Sequence, residues 1–184
     1  MTRRFALVPV LLVIFAFLGS GSAAASSSNF GYHVGDRLLQ GAGAPAGVVA
    51  MADNGDTVKV IATGTFDTVT KAADGGGTFE HRAPDGSLRG KGTLTATKLI
   101  TFRLYACGGA GIPPNFCGGR ASLAVQLHPA SNPNLSIDAI LEANCGIGAP
   151  PPTAGANDFI RLNIQDLINF NRPVLGGVTV FNQI

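Results

Sequence analysis

The stretch from Gly75 to Thr97, GGGTFEHRAPDGSLRGKGTLTAT, decides the fold. Its glycine triplet and its histidine beside a glutamate are features of phosphate and metal sites. A phosphate loop, however, needs a helix after its glycines, because the helix N-terminus supplies the anion site. Here apolar and polar residues alternate on both sides of Pro84-Asp85-Gly86, a turn sequence. The stretch therefore predicts a two-stranded hairpin, in which Glu80 and Arg82 share a face and can pair.

The same period-two alternation recurs along most of the chain. Strict alternation predicts strands with one buried face, and Gly, Asn, Asp and Pro between the runs predict turns. About nine strands are expected, near residues 47–52, 57–66, 77–82, 88–97, 99–106, 120–128, 135–145, 158–164 and 176–183. Spacings near ten residues with turns between them favour an all-β, single-domain antiparallel sandwich or barrel over residues 47–184. The pattern leaves the choice between sandwich and barrel open.

The first 25 residues have the three parts of a secretory signal peptide. Arg3 and Arg4 precede an apolar stretch from Phe5 to Leu18, which is followed by Gly, Ala and Ser alone up to Ser28. The apolar stretch is shorter than the roughly 20 residues that a membrane span needs. We expect cleavage after residue 25, with an uncleaved anchor as the alternative, and a flexible N-terminal segment over 26–46. The predicted location is secreted or extracytoplasmic.

The charge of the mature chain narrows the class of partner. The chain has 13 Lys and Arg residues and 11 Asp and Glu residues, and loss of Arg3 and Arg4 brings the two counts to 11 each. Binding to nucleic acid or to an acidic membrane needs clustered positive charge. We therefore expect no nucleic-acid partner and no stable membrane insertion after signal cleavage.

Two glycine- and proline-rich segments, 107–119 and 146–157, do not fit short hairpins and predict long loops at one end of the fold. The three cysteines converge at that end. Three cysteines in a secreted chain indicate one disulfide and one free thiol. Cys107 with Cys117 is the predicted disulfide, and Cys117 with Cys145 is the alternative. Cys145 continues an apolar strand face and is expected to be a small buried hydrophobe.

Metal and catalytic motifs are absent from the sequence. His33, His81 and His128 are the only histidines, and they form no H-x-H or HExxH pattern. Asp53-Asn54-Gly55-Asp56 lacks the later ligands of a calcium loop and is interpreted as a turn. The sequence therefore predicts no metal, no cofactor and no catalytic residue, and whether the protein is an enzyme stays open.

The order of five short motifs resembles a family of uncharacterised secreted bacterial all-β proteins. The motifs are GTFD, GGGTFEHRAPDG, GKGTLTATKLITF, GGRASLAVQLHP and RLNIQDLINFN, and the resemblance covers about residues 48–183. It implies an exported all-β protein, and it brings no activity, ligand or site residue.

Three functional hypotheses follow from the sequence. The first is a non-catalytic exported β-domain that binds a ligand or partner through its loop-rich end, with Arg103, Phe116 and Arg120 as candidate contacts. The second is a β-barrel enzyme or carrier for a small apolar molecule, of the allene-oxide-cyclase or lipocalin type, since such barrels hold apolar ligands inside. The third is a metal-dependent hydrolase, which requires the three histidines or nearby acids to converge.

Overall fold

The fold is all-β and antiparallel, as predicted. The structure is a computed structural model, and it describes residues 28–148, 158–174 and 176–184. One five-residue helix and eleven strands are formed in these residues: β1 (Asn29–Val34), α1 (Arg37–Gly41), β2 (Val48–Met51), β3 (Thr57–Asp67), β4 (Ala73–Arg82), β5 (Leu88–Gly109), β6 (Ile112–Pro129), β7 (Ile137–Cys145), β8 (Phe159–Ile164), β9 (Ile168–Phe170), β10 (Arg172–Pro173) and β11 (Thr179–Gln183). No helix in these ranges is long and apolar enough to cross a membrane. The predicted signal peptide lies outside the described residues.

Six strands close into a barrel. The pairs run from β1 to β3, β4, β5, β6, β11 and back to β1, and every pair is antiparallel. Closure satisfies the backbone hydrogen bonds on both sides of each of these strands, so this ring has no open edge. The pairing therefore gives a barrel where the sequence left sandwich and barrel open.

The barrel is wider at one end, because β3 and β6 each change partner along their length. The second half of β3 pairs with β1, whereas its first residues pair with β2. Similarly, β6 pairs with β11 at Cys117 and with β7 from Gly119 onward. At the wider end, β7, β8 and β9 extend the sheet from β6, and β2 lies against β8. Because barrel diameter grows with strand number, this end has more interior room.

The narrow end is filled by aromatic rings. Phe66 lies at their centre, with its ring centroid 4.8 Å from that of Phe102 and 5.8 Å from that of Phe30. The ring centroids of Phe181 and Tyr32, which complete the cluster, lie 6.0 and 6.4 Å from that of Phe66. Burial, and next the charge of Asp74, raises the pKa of the Tyr32 phenol. The interior at this end is a packed aromatic core.

The glycine triplet of the opening stretch lies within β4 and not in a turn. A β-carbon on Gly77 would overlap the carbonyl oxygen of Ile61 on the neighbouring strand, so only glycine fits there. Gly75 has a φ of 96°, a conformation that side chains rarely adopt. These glycines allow close approach of β3 and β4. The predicted hairpin is confirmed, and Arg82 pairs with Glu80 at 3.1 Å.

Two predictions about the chain's organisation are wrong. The segment 107–119 is not a long loop, because β5 runs to Gly109 and β6 begins at Ile112, leaving a two-residue turn. The segment 26–46 was predicted to be flexible, but it contains α1 and β1, and β1 is hydrogen-bonded to a strand on each side. The β domain therefore begins at least as early as Asn29. Residues 149–157 of the second predicted loop lie outside the described residues.

Cys107 and Cys117 lie at disulfide distance on facing positions of the β5–β6 hairpin, with the two sulfurs 2.12 Å apart. This is the pair that the sequence favoured. Cys145 is free and buried, also as expected. Burial, and next the charge of Asp158, raises the pKa of its thiol to about 12, which makes it a poor nucleophile. The Cys107–Cys117 pair is compatible with an extracytoplasmic location.

Asp158 ties the start of β8 to two other elements. One carboxylate oxygen accepts from the backbone N–H of Gly146 at 2.8 Å, and the other accepts from that of Thr179 at 3.0 Å. Burial nevertheless raises the pKa of this carboxyl above its usual range. Its contribution to stability is therefore full below the unfolded pKa, about 3.9, and is lost as the pH rises through the folded pKa.

Asp158→Asn is expected to change the pH profile of stability. The amide does not ionise, so the variant's free energy of unfolding relative to the wild type should rise between about pH 3 and pH 7. Urea unfolding across this range measures the difference. Asp166→Asn, which alters an exposed side chain between β8 and β9, controls for the change in net charge. A difference that stays constant with pH would show that burial does not favour the neutral acid.

Candidate functional site

The wide end of the barrel opens into an apolar pocket of about 430 Å³. This volume lies within the range of small-molecule sites, about 300–1,000 Å³. The wall is contributed by six strands, β4 to β9, and by the β6–β7 and β8–β9 connections. Its apolar residues are Phe79, Leu127, Pro129, Ile137, Ile164, Leu167 and Ile168. Leu167 is 68% exposed at the entrance. The pocket therefore has an apolar lining open to solvent on one side.

A histidine–aspartate pair lies at the polar side of this pocket. His81 shares parity with Phe79 on β4, so both side chains point to the interior side of the sheet. Its Nε2 lies 2.8 Å from Oδ2 of Asp56, in the turn before β3. The His81 ring packs edge-on against Phe170, with centroids 5.2 Å apart. The imidazole is thus held at two points, one polar and one aromatic.

Asp56 is almost completely buried, with 2% of its surface exposed. Arg89 on β5 also reaches its Oδ2, at 3.3 Å, and the Asp56 backbone N–H donates to the Asn54 side chain at 3.0 Å. The hydrogen bond from His81, and next the charge of Arg89, lowers the pKa of the Asp56 carboxyl. The carboxylate is therefore ionised at neutral pH and orients both basic groups at the pocket.

The contact with Asp56 determines which imidazole nitrogen of His81 can contact a ligand. An ionised Asp56 can only accept, so Nε2 of His81 carries the proton that it donates. In the described part of the chain, no hydrogen bond to Nδ1 of His81 is found. In the neutral imidazole, Nδ1 then presents a lone pair that can accept a hydrogen bond or a proton. When His81 is charged, Nδ1 becomes a donor instead, and Arg89 is a second donor at the rim.

The turn interpretation of Asp53–Asp56 is compatible with this role but did not identify it. Asp56 and His81 are 25 residues apart. They meet because Val58 on β3 faces His81 on β4. Asp56, two positions before Val58, therefore lies at the same end of the β3–β4 pair as His81. The register of the β3–β4 hairpin would have been the signal, but Asp74-Gly75, a turn-like dipeptide in the sequence, lies inside β4, and residues 68–72 form the connection.

His33 belongs to a different cluster. Its Nδ1 lies 2.7 Å from Oδ2 of Asp36, and its Nε2 lies 3.0 Å from the side-chain oxygen of Asn182. The other Asp36 oxygen caps α1 by accepting from the N–H of Leu39. This pair therefore joins α1, β1 and β11. The three histidines do not converge, and no group of three potential metal ligands occurs within residues 28–148, 158–174 and 176–184.

Two of the three residues predicted as partner contacts come together. Arg103 on β5 and Arg120 on β6 occupy directly facing positions on the outer side of the sheet. Phe116 is half-buried, packs against the core and faces Asn182 of β11. It lies four residues from Arg120 along β6, about 13 Å in an extended strand. Phe116 is therefore not part of the arginine cluster.

No family model, curated protein or solved structure matches the chain. The family resemblance noted in the sequence therefore stays a prediction.

Proposed function

We propose that the protein is an exported binding protein that takes a small molecule with an apolar body and a carboxylate head into the wide end of its barrel. The observation that carries this proposal is the meeting of an apolar pocket with an oriented polar group, His81 held by buried Asp56. This arrangement, an apolar lining with a few fixed polar groups, is the usual composition of a small-molecule site. It corresponds to the carrier form of the second sequence hypothesis.

The charges at the rim favour a carboxylate head over a hydroxyl head. Arg89 and Lys91 both line the pocket. Arg89 is about half exposed, so part of its guanidinium is free to meet a ligand while it also contacts Asp56. Guanidinium groups bind carboxylates with charge-assisted hydrogen bonds, which are stronger than neutral ones. The aliphatic tail would lie against Leu127, Ile137 and Ile168.

Octanoate and octanol separate the contribution of the carboxylate head to binding from that of the aliphatic tail. Calorimetric titration of the mature protein is expected to show tighter binding of octanoate than of octanol, because only the carboxylate uses the rim charges. Arg89→Gln should reduce the octanoate affinity about 10- to 150-fold and reduce the preference over octanol, as expected when a charge-assisted bond of about 1.5–3 kcal/mol is lost. Arg82→Gln, an exposed arginine paired with Glu80, is the matched control and should bind like the wild type.

Leu167→Asp tests the apolar wall without disturbing the core, because Leu167 is exposed. A charged side chain at the entrance should weaken both ligands, and octanoate most. Equal affinity for octanoate and octanol in the wild type would refute the carboxylate head. Absence of binding by either ligand at millimolar concentration would refute the pocket's function.

A further inference from the structure

His81 can contact a ligand carboxylate through Nδ1 alone, because its other nitrogen is already engaged. Nε2 lies 2.8 Å from Oδ2 of Asp56, and an ionised carboxylate can only accept a hydrogen bond. The opposite tautomer would set the Nε2 lone pair against the negative charge of Asp56, so the neutral ring keeps its single proton on Nε2. Nδ1 of a neutral His81 is therefore an acceptor.

An acceptor at Nδ1 repels a carboxylate, which is also an acceptor. A hydrogen bond joins the two only when one more proton is present, and with that proton both ring nitrogens become donors. An alcohol has no such requirement, because its hydroxyl donates to the neutral ring and accepts from the charged ring. The two kinds of ligand head therefore differ in the protonation state of His81 that they require.

The charges beside His81 cancel before a ligand enters the pocket. Nε of Arg89 lies 3.3 Å from Oδ2 of Asp56, whose side chain is only 4% exposed. This ion pair leaves no net charge next to a neutral imidazole. A ligand carboxylate adds a negative charge close to the buried Asp56, and an uncompensated charge is costly at a buried site. A proton on His81 supplies the compensating charge.

The other elements around His81 bring one more charged side chain to the pocket. Lys91 on β5 is exposed and faces Glu80 across the β4–β5 pair. Phe170 of β9 packs against the imidazole, and the pocket-lining residues contributed by β6 to β9 and their connections are uncharged. Asp166, in the β8–β9 turn, is exposed and lines two neighbouring grooves. Histidine is the side chain that ordinarily changes charge between about pH 5 and pH 8, and among the described residues that line the pocket His81 is the only one.

We propose that the pocket takes up its carboxylate ligand together with one proton, which is held on Nδ1 of His81. This linkage rests on the proposed function, since it concerns the same ligand and the same pocket. The proton comes from the surrounding solution and forms the Nδ1–H bond, and no other covalent bond is made or broken. Asp56 is a positioning residue that holds Nε2 and attracts the charged ring. The protein would then load its ligand in acidic surroundings and release it as the pH rises.

Calorimetric titration of the mature protein with octanoate, from about pH 6 to pH 8.5, tests the linkage. The octanoate carboxyl stays ionised over this range, since carboxyl groups titrate near pH 4. Its affinity is expected to fall at least about 10-fold across the range, because linked uptake of one proton changes an equilibrium constant by up to about 10-fold per pH unit. Octanol affinity should stay nearly constant.

The number of protons taken up can be counted on the wild-type protein. Titrations at one pH in buffers of different ionisation enthalpy give the protons bound per ligand. At the alkaline end of the range, uptake should approach one proton for each octanoate and should be absent for octanol. Proton uptake that is equal for the two ligands would contradict the assignment to the carboxylate head.

His81→Gln should remove the pH dependence of octanoate binding, because the glutamine amide donates a hydrogen bond without ionising. His128→Gln is the matched control, since His128 lies on β6 opposite Thr93 and does not line the pocket. This control should keep the wild-type pH dependence. Proton uptake that persists in His81→Gln would place the proton on another group and overturn the assignment to His81.

Two outcomes separate the linkage from the proposed function. Octanoate binding of equal strength at every pH in the range would overturn the linkage and leave the proposed function in place. Absence of octanoate binding at every pH would refute the proposed function itself, and the linkage with it.

Discussion

Gly77→Ala is expected to destabilise the protein by more than about 3 kcal/mol, near the upper end of single-substitution effects. The added β-carbon would overlap the Ile61 carbonyl oxygen and approach the Ala62 α-carbon, both of which belong to the backbone of β3. Backbone atoms cannot move aside as a flexible side chain can, so β3 and β4 must separate. The midpoint of urea unfolding measures the loss.

Gly90→Ala is the matched control for this prediction. Gly90 lies on the neighbouring strand β5, facing His81, and an added β-carbon would meet no atom within 4 Å. The free energy of unfolding of this variant should stay within about 0.5 kcal/mol of the wild-type value, the usual range for an unconstrained surface change. If both alanine variants unfolded at the same urea concentration, close approach of β3 and β4 would not be required.

Phe66→Ala is expected to destabilise the protein by about 3–5 kcal/mol, the usual range for removing a buried aromatic ring. Phe66 is 2% exposed and contacts four other rings that come from β1, β5 and β11. Its loss therefore leaves a cavity between strands that close the barrel. Chemical unfolding followed by circular dichroism measures the change.

A graded series checks the mechanism of that loss. Phe66→Leu should retain part of the stability, because it refills part of the cavity. Val69→Ala, at a position that is 77% exposed, should have little effect. A loss for Phe66→Ala no larger than that for Val69→Ala would show that the aromatic cluster does not support closure.

The parts of the fold that could be predicted are those set by local pattern. Alternation placed β3 and the β6–β7 hairpin correctly, and it placed Leu123, Val125 and Leu127 on one buried face. Turn residues located the β4–β5 hairpin. Both signals depend on neighbouring residues, which a single sequence shows directly.

The parts that were missed depend on partners distant in the sequence. Phe30, Tyr32 and Val34 alternate and are buried, but the strand is only six residues long and its two partners begin at Thr57 and Thr179. Strand β5 continues across register shifts near Lys98 and Leu104, where the alternation breaks. Glycine and proline beyond Cys107 then concealed its final residues.

The candidate site was missed for a related reason. Neither Asp56 nor His81 stands out beside its own neighbours, and each has an ordinary local interpretation as a turn residue and a strand-end histidine. Their chemistry arises from cross-strand register and from burial of the carboxylate, which alternation alone does not give. The facing positions of Arg103 and Arg120 also depend on a register shift between Leu104 and Cys107, because regular pairing from Cys107 and Cys117 would place Arg103 opposite Ala121.

The partner change along β3 and β6 has a consequence for the order of folding. The β3–β6 meander is built from sequential hairpins and can form early, because its loops are short. The ring that carries the aromatic cluster needs β1 and β11, which are roughly 150 residues apart, and contacts at such separation form slowly. The pocket end and the aromatic end should therefore acquire protection from amide hydrogen exchange at different times during refolding, with β1 and β11 protected last.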